Sequence, residues 1–222
     1  MHAVVTTWRL HLAARSPDRD AFIRALVARG ITAARAQGVV DVVMIVVEPD
    51  LLMAVSLFET LAEALATRPV ALAFVLDQYA ETLELISRVT GQAYELPDVA
   101  DLDISVVRQN RGPTSGETHA QLTTWRLGPE MRSSDQLVKF LRATMPSALP
   151  AMLEQGLTDV IAVRTADDTL LVIQLALQPE ALVVLPRMAV LSDRSERSAG
   201  TVDLVESVIG RAFDIPTLLG AE

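Results

Sequence analysis

The pentapeptide Thr6-Thr7-Trp8-Arg9-Leu10 recurs unchanged 117 positions later as Thr123-Thr124-Trp125-Arg126-Leu127. A self-match at this spacing constrains the fold strongly, because whatever one copy builds the other must build too. The correspondence continues as Arg15, Ser16 and Asp18 meet Arg132, Ser133 and Asp135. At an offset of 118, Phe22, Arg24 and Ala25 meet Phe140, Arg142 and Ala143, and Gln37-Gly38 meets Gln155-Gly156. Asp41-Val42, Asp50, Leu52 and Leu57 likewise meet Asp159-Val160, Asp168, Leu170 and Leu175. At an offset of 119, Leu85, Val89, Gly91, Ala93 and Pro97 meet Leu204, Val208, Gly210, Ala212 and Pro216. Each copy is about one hundred residues, domain-sized and too long for a solenoid unit. The chain therefore divides into a first domain over 1–102 and a second over 121–222. Residues 103–120 form a linker around Arg111-Gly112-Pro113-Thr114-Ser115-Gly116-Glu117, which has no partner in the second copy.

Composition removes several functions. The net charge is −9, with 14 acidic against 10 basic residues in 1–111 and 14 against 9 in 112–222. Neither half offers the Lys and Arg excess that nucleic acid or an anionic membrane surface requires. There is no cysteine, so disulfides, iron–sulfur clusters, Cys-ligated metal and thiolate nucleophiles are excluded. The longest apolar runs, Val42–Val47 and Val70–Leu76, fall far short of the ~20 residues of a membrane-spanning helix. No secretory signal is visible at the amino terminus, so the expected localisation is cytoplasmic.

Val4–Leu10 has strand composition, and Phe22, Ile23, Leu26, Val27, Ile31 and Ala34 then recur at helical spacing from an N-cap at Asp18 to Gly38. Val39–Val47 and Leu51–Glu59 are apolar runs joined by Glu48-Pro49-Asp50, a hairpin matched at Asp167-Asp168. Residues 63–79 are helical in composition, and Thr82–Val89 forms a last strand ending at Gly91. Gly91 and Gly210, with Tyr94/Phe213 and Pro97/Pro216, read as a turn with an aromatic plug. The order in each copy is β-α-β-β-α-β, the ferredoxin-like split motif of an α+β protein.

Period-two alternation sorts the hairpin faces. In copy one, Val42, Met44, Val46, Met53, Val55 and Leu57 are assigned to the face under the helices, with Trp8 as a core anchor repeated at Trp125. The opposite face receives Asp41, Val43, Ile45, Ala54, Ser56 and Phe58. Its counterpart receives Asp159, Ile161, Val163, Val172, Gln174 and Ala176. Thr7 and Arg9, matched by Thr124 and Arg126, join this second face.

A unit of this size and order, with a Gly before its hairpin, resembles the antibiotic biosynthesis monooxygenase-like members of the dimeric α/β-barrel superfamily. The resemblance implies that two ferredoxin-like repeats pack their sheets face to face as an α/β barrel, here within one chain as an intrachain pseudo-dimer, with a further homodimer left open. Members include cofactor-independent oxygenases, haem-degrading enzymes, haem peroxidases and isomerases. Haem degraders of the superfamily use an Asn, a Trp and a His, and this chain has one asparagine, Asn110, in the linker. An axial ligand would have to come from His2, His11 or His119, read as unrelated positions. No cofactor is therefore expected. No His/Asp/Glu spacing matches a metal site either.

The residues assigned to the barrel interior, Thr7, Arg9, Asp41, Ser56, Phe58, Thr124, Arg126, Asp159, Gln174 and Ala176, are the candidate ligand-binding set. One Arg and one Asp per copy facing an apolar interior must be paired or hydrated. They either close the barrel as ion pairs or hold a phenolate or carboxylate while the Asp takes a proton. Phe58 against Ala176 and Ser56 against Gln174 place the more open pocket beside Ala176 and Gln174. Arg164 is assigned to the hairpin tip, in solvent. His11, following the first strand, is a general-base candidate without a nameable orienting partner. The expected function is binding of a small, largely apolar or aromatic molecule in a central cavity, by a cofactor-independent monooxygenase or isomerase. The competing expectation is a non-catalytic binding or assembly module with a filled barrel.

Overall fold

The computed structural model describes residues 1–11, 19, 21–26, 29, 36–47, 49–67, 79, 81–95, 118–154, 156–183 and 202–214. Its strands are β1 (His2–Leu10), β2 (Val39–Val47), β3 (Leu51–Phe58), β4 (Leu83–Glu95), β5 (Thr118–Leu127), β6 (Leu157–Ala166), β7 (Thr169–Ala176) and β8 (Val202–Asp214). Residues 21–26 and 61–67 are helical in the first copy. The helix Ser134–Glu154 and the 3-10 turn Pro179–Val183 take corresponding places in the second. The chain is thus α+β, two ferredoxin-like repeats. Asp18, Asn110 and the linker stretch 103–117 lie outside the described residues, whereas β5 already begins at Thr118, inside the span assigned to the linker.

Two compact units emerge, Met1–Ala93 with Gly210–Glu222, and Tyr94–Ile209. Unit one has the strand order β4-β1-β3-β2, completed by β8 from Gly210 onward. Unit two has the order β8-β5-β7-β6, completed by β4 from Tyr94 onward. Every described register is antiparallel. β4 and β8 are each 13 residues and run straight through Gly91 and Gly210, so the expected turn at these glycines is corrected. Gly210 is needed for close approach: a Cβ there would overlap the Val46 carbonyl oxygen of the neighbouring strand. Tyr94, expected to plug a turn, is instead buried in unit two, 4% exposed.

Local chemistry sets the element ends. Thr60 and Glu63 form a capping box, the Glu63 backbone N–H donating to Thr60 Oγ1 (3.2 Å) while Glu63 Oε2 accepts from the Thr60 backbone N–H (3.0 Å). Ser133 Oγ accepts from the Gln136 N–H at 3.2 Å where the Ser134–Glu154 helix begins. Gly38 (φ +85°) and Gly156 (φ +96°) take the left-handed conformation just before β2 and β6. In unit one, Ile23, Leu26 and Ala64 pack on Val4, Trp8, Val42, Met44, Val46, Leu52, Ala54 and Phe58. Tyr79 closes this cluster edge-on to Phe22, with ring centroids 5.4 Å apart. In unit two, Leu137, Leu141 and Met152 pack on Leu127, Val160, Ala162, Leu170 and Val172, and Trp125 lies against them.

These clusters correct the face assignment of the third strand. The register pairs Val47 with Leu51, Val46 with Leu52 and Met44 with Ala54 across a three-residue loop. An odd loop keeps even-numbered residues opposite even-numbered ones, so Leu52, Ala54, Ser56 and Phe58 share the helix-facing side with Val42, Met44 and Val46. Met53, Val55 and Leu57 lie on the other side with Asp41, Val43 and Ile45. Copy two keeps the same parity, Val160 opposite Gln174 and Ala162 opposite Val172. Both faces are buried: Val43, Ile45, Val55 and Leu57 are at most 1% exposed, as are Ile161, Val163 and Ile173.

Candidate functional site

The registers separate the Arg and the Asp expected to work together. Asp41 lies opposite Leu57, which lies opposite Ala3, six residues along β1 from Arg9. Asp159, Leu175 and Ala120 repeat this, with Arg126 six residues from Ala120. At a strand rise of about 3.3 Å per residue the two charges stand roughly 20 Å apart, at opposite ends of the sheet. Arg9 is exposed and pairs with Glu84 (3.2 Å) and Asp50 (3.5 Å). Arg126 is exposed, and Thr7 and Thr124 are half-buried. His11 meets Glu84 at 3.5 Å, also in solvent.

Each Asp has a local task instead. One residue before it, Val40 or Thr158, is skipped in the ladder, giving a β-bulge between Val39 and Asp41 and between Leu157 and Asp159. Asp41 Oδ1 accepts the Val42 backbone N–H at 2.8 Å, and Asp159 Oδ1 accepts the Val160 N–H at 2.8 Å. Positive-φ glycine, bulge and carboxylate form one device repeated in both copies.

Four of the remaining candidates move to the helix-facing side by the parity correction. Phe58 is fully buried in the unit-one core, and Ser56 is half-buried beside it. The expected opening beside Ala176 is closed, because Leu182 packs against it and both are 0% exposed. Arg164 is not in solvent: its side chain is 13% exposed and donates to the carbonyls of Arg132 and Asp167 and to Ser134 Oγ.

Gln174 is the exception that gains importance. It is 0% exposed, and neither its Oε1 nor its Nε2 has a hydrogen-bond partner among the described residues. Directly opposite on β5 stands Gln121, 4% exposed, whose Nε2 donates to Ser207 Oγ at 2.8 Å while its Oε1 has no partner among the described residues. Thr123 Oγ1 lies 3.2 Å from the same Ser207 hydroxyl. Ser207 is exposed, so a polar row leads from the surface at β8 through Gln121 to Gln174 in the interior of unit two. On the same strand as Ser207, Leu204 and Ile209 are both 47% exposed. Copy one has Val4, Ser56 and Arg88 where copy two has Gln121, Gln174 and Ser207. Sequence reasoning missed Gln121 and Ser207, though the Val4/Gln121 difference was visible as an amide inside an apolar strand.

His2 and His119 are also equivalent positions, opposite Phe58 and Ala176, which corrects their reading as unrelated. Burial, and secondarily the terminal ammonium, lowers the His2 pKa below its usual 6.5. His119 is the imidazole on the helix-facing side of unit two, two positions before Gln121. A haem held there would need an apolar slot beside the ring. Ala176, opposite His119, is covered by Leu182, so the described residues do not fit that group. No cluster of three or more His, Cys, Asp or Glu residues suited to a metal occurs among the described residues.

Comparison with solved structures returns the same fold over nearly the whole chain. Chlorite dismutase from Candidatus Nitrospira defluvii in complex with imidazole superposes with a TM-score of 0.61 at 11% identity, covering 99% of this chain and 93% of that one. A doubly substituted mutant of that enzyme gives 0.60 at 13% identity, with 99% and 94% covered. A provisionally named monooxygenase of Fusobacterium nucleatum gives 0.57 at 9% identity, with 96% and 92% covered. The chain therefore shares the fold of these structures, two ferredoxin-like repeats in one chain. At these identities the likeness concerns the fold and not the chemistry. No family model matches the sequence, and no curated protein does. No described helix is long and apolar enough to cross a membrane.

Proposed function

We propose that this chain binds one small, largely apolar molecule within unit two, on the helix-facing side of the sheet, with Gln174 holding the polar group of that molecule. The observation that carries the proposal is the buried Gln174 amide, 0% exposed and unpartnered among the described residues. Burying an amide without partners costs about 1–3 kcal/mol in proteins, so such a group is retained where something it binds offsets the cost. The exposed Leu204 and Ile209, on the strand that carries Ser207, favour an apolar body for the ligand. The fold supports the same direction, since the chlorite dismutase structures it resembles include complexes with cyanide and imidazole, small ligands of that enzyme.

The binding set expected from the sequence changes accordingly. Gln174 stays, Gln121, Thr123 and Ser207 join it, and Arg9, Arg126, Asp41 and Asp159 are given structural roles or left at the surface. A fragment screen by ligand-observed NMR on the full chain tests this. The expected result is one binding site per chain, lost in Gln174→Met and retained in Arg9→Ala. Fragment binding indifferent to Gln174→Met, or absent from the wild-type chain, refutes the proposal.

A further inference from the structure

The unused hydrogen-bonding capacity of the row specifies the polar group it takes. We infer that the ligand is uncharged and presents a donor and an acceptor side by side, as the edge of a lactam, imide or other cis-amide does. The inference rests on the small-molecule reading above and narrows its ligand class.

Gln174 offers two N–H donors and a carbonyl oxygen, none of them used among the described residues, and Gln121 adds a second unused carbonyl oxygen. Cross-strand neighbours have Cβ atoms about 4.5–5.5 Å apart, so one small polar group can reach both amides. Turning the Gln174 amide over exchanges its oxygen and nitrogen but still presents donors beside an acceptor, so the donor–acceptor edge does not depend on the orientation of that amide. Ser207 and Thr123, the other polar members, are hydroxyls.

No arginine, lysine or carboxylate belongs to the row among the described residues, and the titratable group on the same side is the half-buried His119 imidazole, two positions before Gln121. Arg126 lies on the helix-facing strand β5 but is exposed, five residues along from Gln121 and therefore on the opposite face. Arg164, on the helix-facing side of β6, is committed to the Arg132 and Asp167 carbonyls and to the Asp167 carboxylate at 3.6 Å. Copy one has Arg88 at the position of Ser207, so the cation of that copy is missing from the row. A carboxylate or phosphate would have to give up its water with no guanidinium or ammonium in the row and only the His119 imidazole on the same side, which is unfavourable. A simple ether or ketone would satisfy the amide N–H and leave both glutamine oxygens buried without a donor.

The probes are 2-pyridone, which carries the full donor–acceptor edge, N-methyl-2-pyridone, which lacks the donor, and benzoate, which is an anion of similar size. Binding to the full chain is measured by saturation-transfer NMR titration, with Gln174→Met alongside. The expected order is 2-pyridone tightest, with the other two weaker by at least about tenfold, and the preference gone in Gln174→Met. If benzoate or N-methyl-2-pyridone binds as tightly as 2-pyridone and all three are lost in Gln174→Met, the inference falls while the small-molecule site stands. If no probe binds the wild-type chain, or all bind Gln174→Met unchanged, both fall together.

Discussion

Replacing Gln174 by methionine should make the protein more stable. The two side chains are close in length and volume, so the exchange leaves no large cavity. It removes an amide that is 0% exposed and makes no hydrogen bond among the described residues. The neighbours on its own face, Val160 and Val172, are apolar and 3% and 8% exposed, so a thioether suits these surroundings where the amide makes no hydrogen bond among the described residues. Relief of the desolvation penalty is worth about 1–3 kcal/mol. For a chain of this length that corresponds to a rise in Tm of roughly 2–12 °C. Urea unfolding followed by circular dichroism, checked by calorimetry, gives the number, and Ser56→Ala at the matching position of copy one should stay within about 0.5 kcal/mol. A Gln174→Met protein that is unchanged or less stable without ligand refutes the reasoning, because the amide would then be satisfied in the folded protein. The same substitution is expected to abolish ligand binding, so stability and function move in opposite directions at one residue.

Other consequences follow from the duplicated devices. Asp159→Ala and Asp41→Ala each remove a carboxylate bond to a backbone N–H at 2.8 Å and should cost about 1–3 kcal/mol in urea unfolding, with Asn milder because its oxygen still accepts. Gly210→Ala drives a Cβ into the Val46 carbonyl oxygen, so it should cost more than Gly38→Ala, which meets only the flexible Glu63 side chain and incurs left-handed strain of about 1–2 kcal/mol. Arg9→Ala should change stability by no more than about 1 kcal/mol and less at high salt, since its pairs are half-exposed; a larger loss would mean that Arg9 is buried in the protein. The lowered pKa of His2 means the folded state disfavours its protonation. Its contribution is complete above the unfolded value of 6.5 and is lost as pH falls through the folded pKa. His2→Gln should therefore flatten the acid side of the stability–pH curve, measured as unfolding free energy on either side of that unfolded value.

The elements were legible in the sequence because duplication and β-branched runs agree. Val39–Val47 was read with the bounds it has, and the strand–helix–strand–strand order holds in the first copy. The error lay in counting the loop at 48–50: one residue more than a two-residue hairpin exchanges the faces of a whole strand, and periodicity within β3, which is apolar on both sides, cannot reveal it. Ser56 and Phe58 are displaced for that reason, and Gln174 and Ala176 because a bulge at Thr165, before the two-residue turn Asp167-Asp168, shifts β6 against β7 by the same single position. The bulges were unreadable for a related cause, since Val40 and Thr158 look like ordinary strand residues until the ladder skips them. Asp41 and Asp159 then passed for partners of a distant arginine. Gly210 looks like a strand end because close approach of a neighbouring backbone leaves no mark on the residue beside it.

Duplication also shows which polar residues serve the fold and which serve something else. A feature the fold requires is needed twice, and the bulge carboxylates, the positive-φ glycines and the tryptophans facing the helices all occur twice. A polar residue needed once has no such explanation. Gln121 and Gln174 face one another across neighbouring strands in copy two, whereas copy one builds the same sheet with Val4 and Ser56. Copy one demonstrates that the architecture does not need the amides, and their burial makes them costly. The difference between the copies therefore points to a selected use of unit two alone. Installing both copy-one residues together, Gln121→Val with Gln174→Ser, should preserve the fold as judged by circular dichroism and remove all fragment binding. A double variant that folds and still binds one fragment per chain would place the ligand elsewhere and leave the asymmetry without a function.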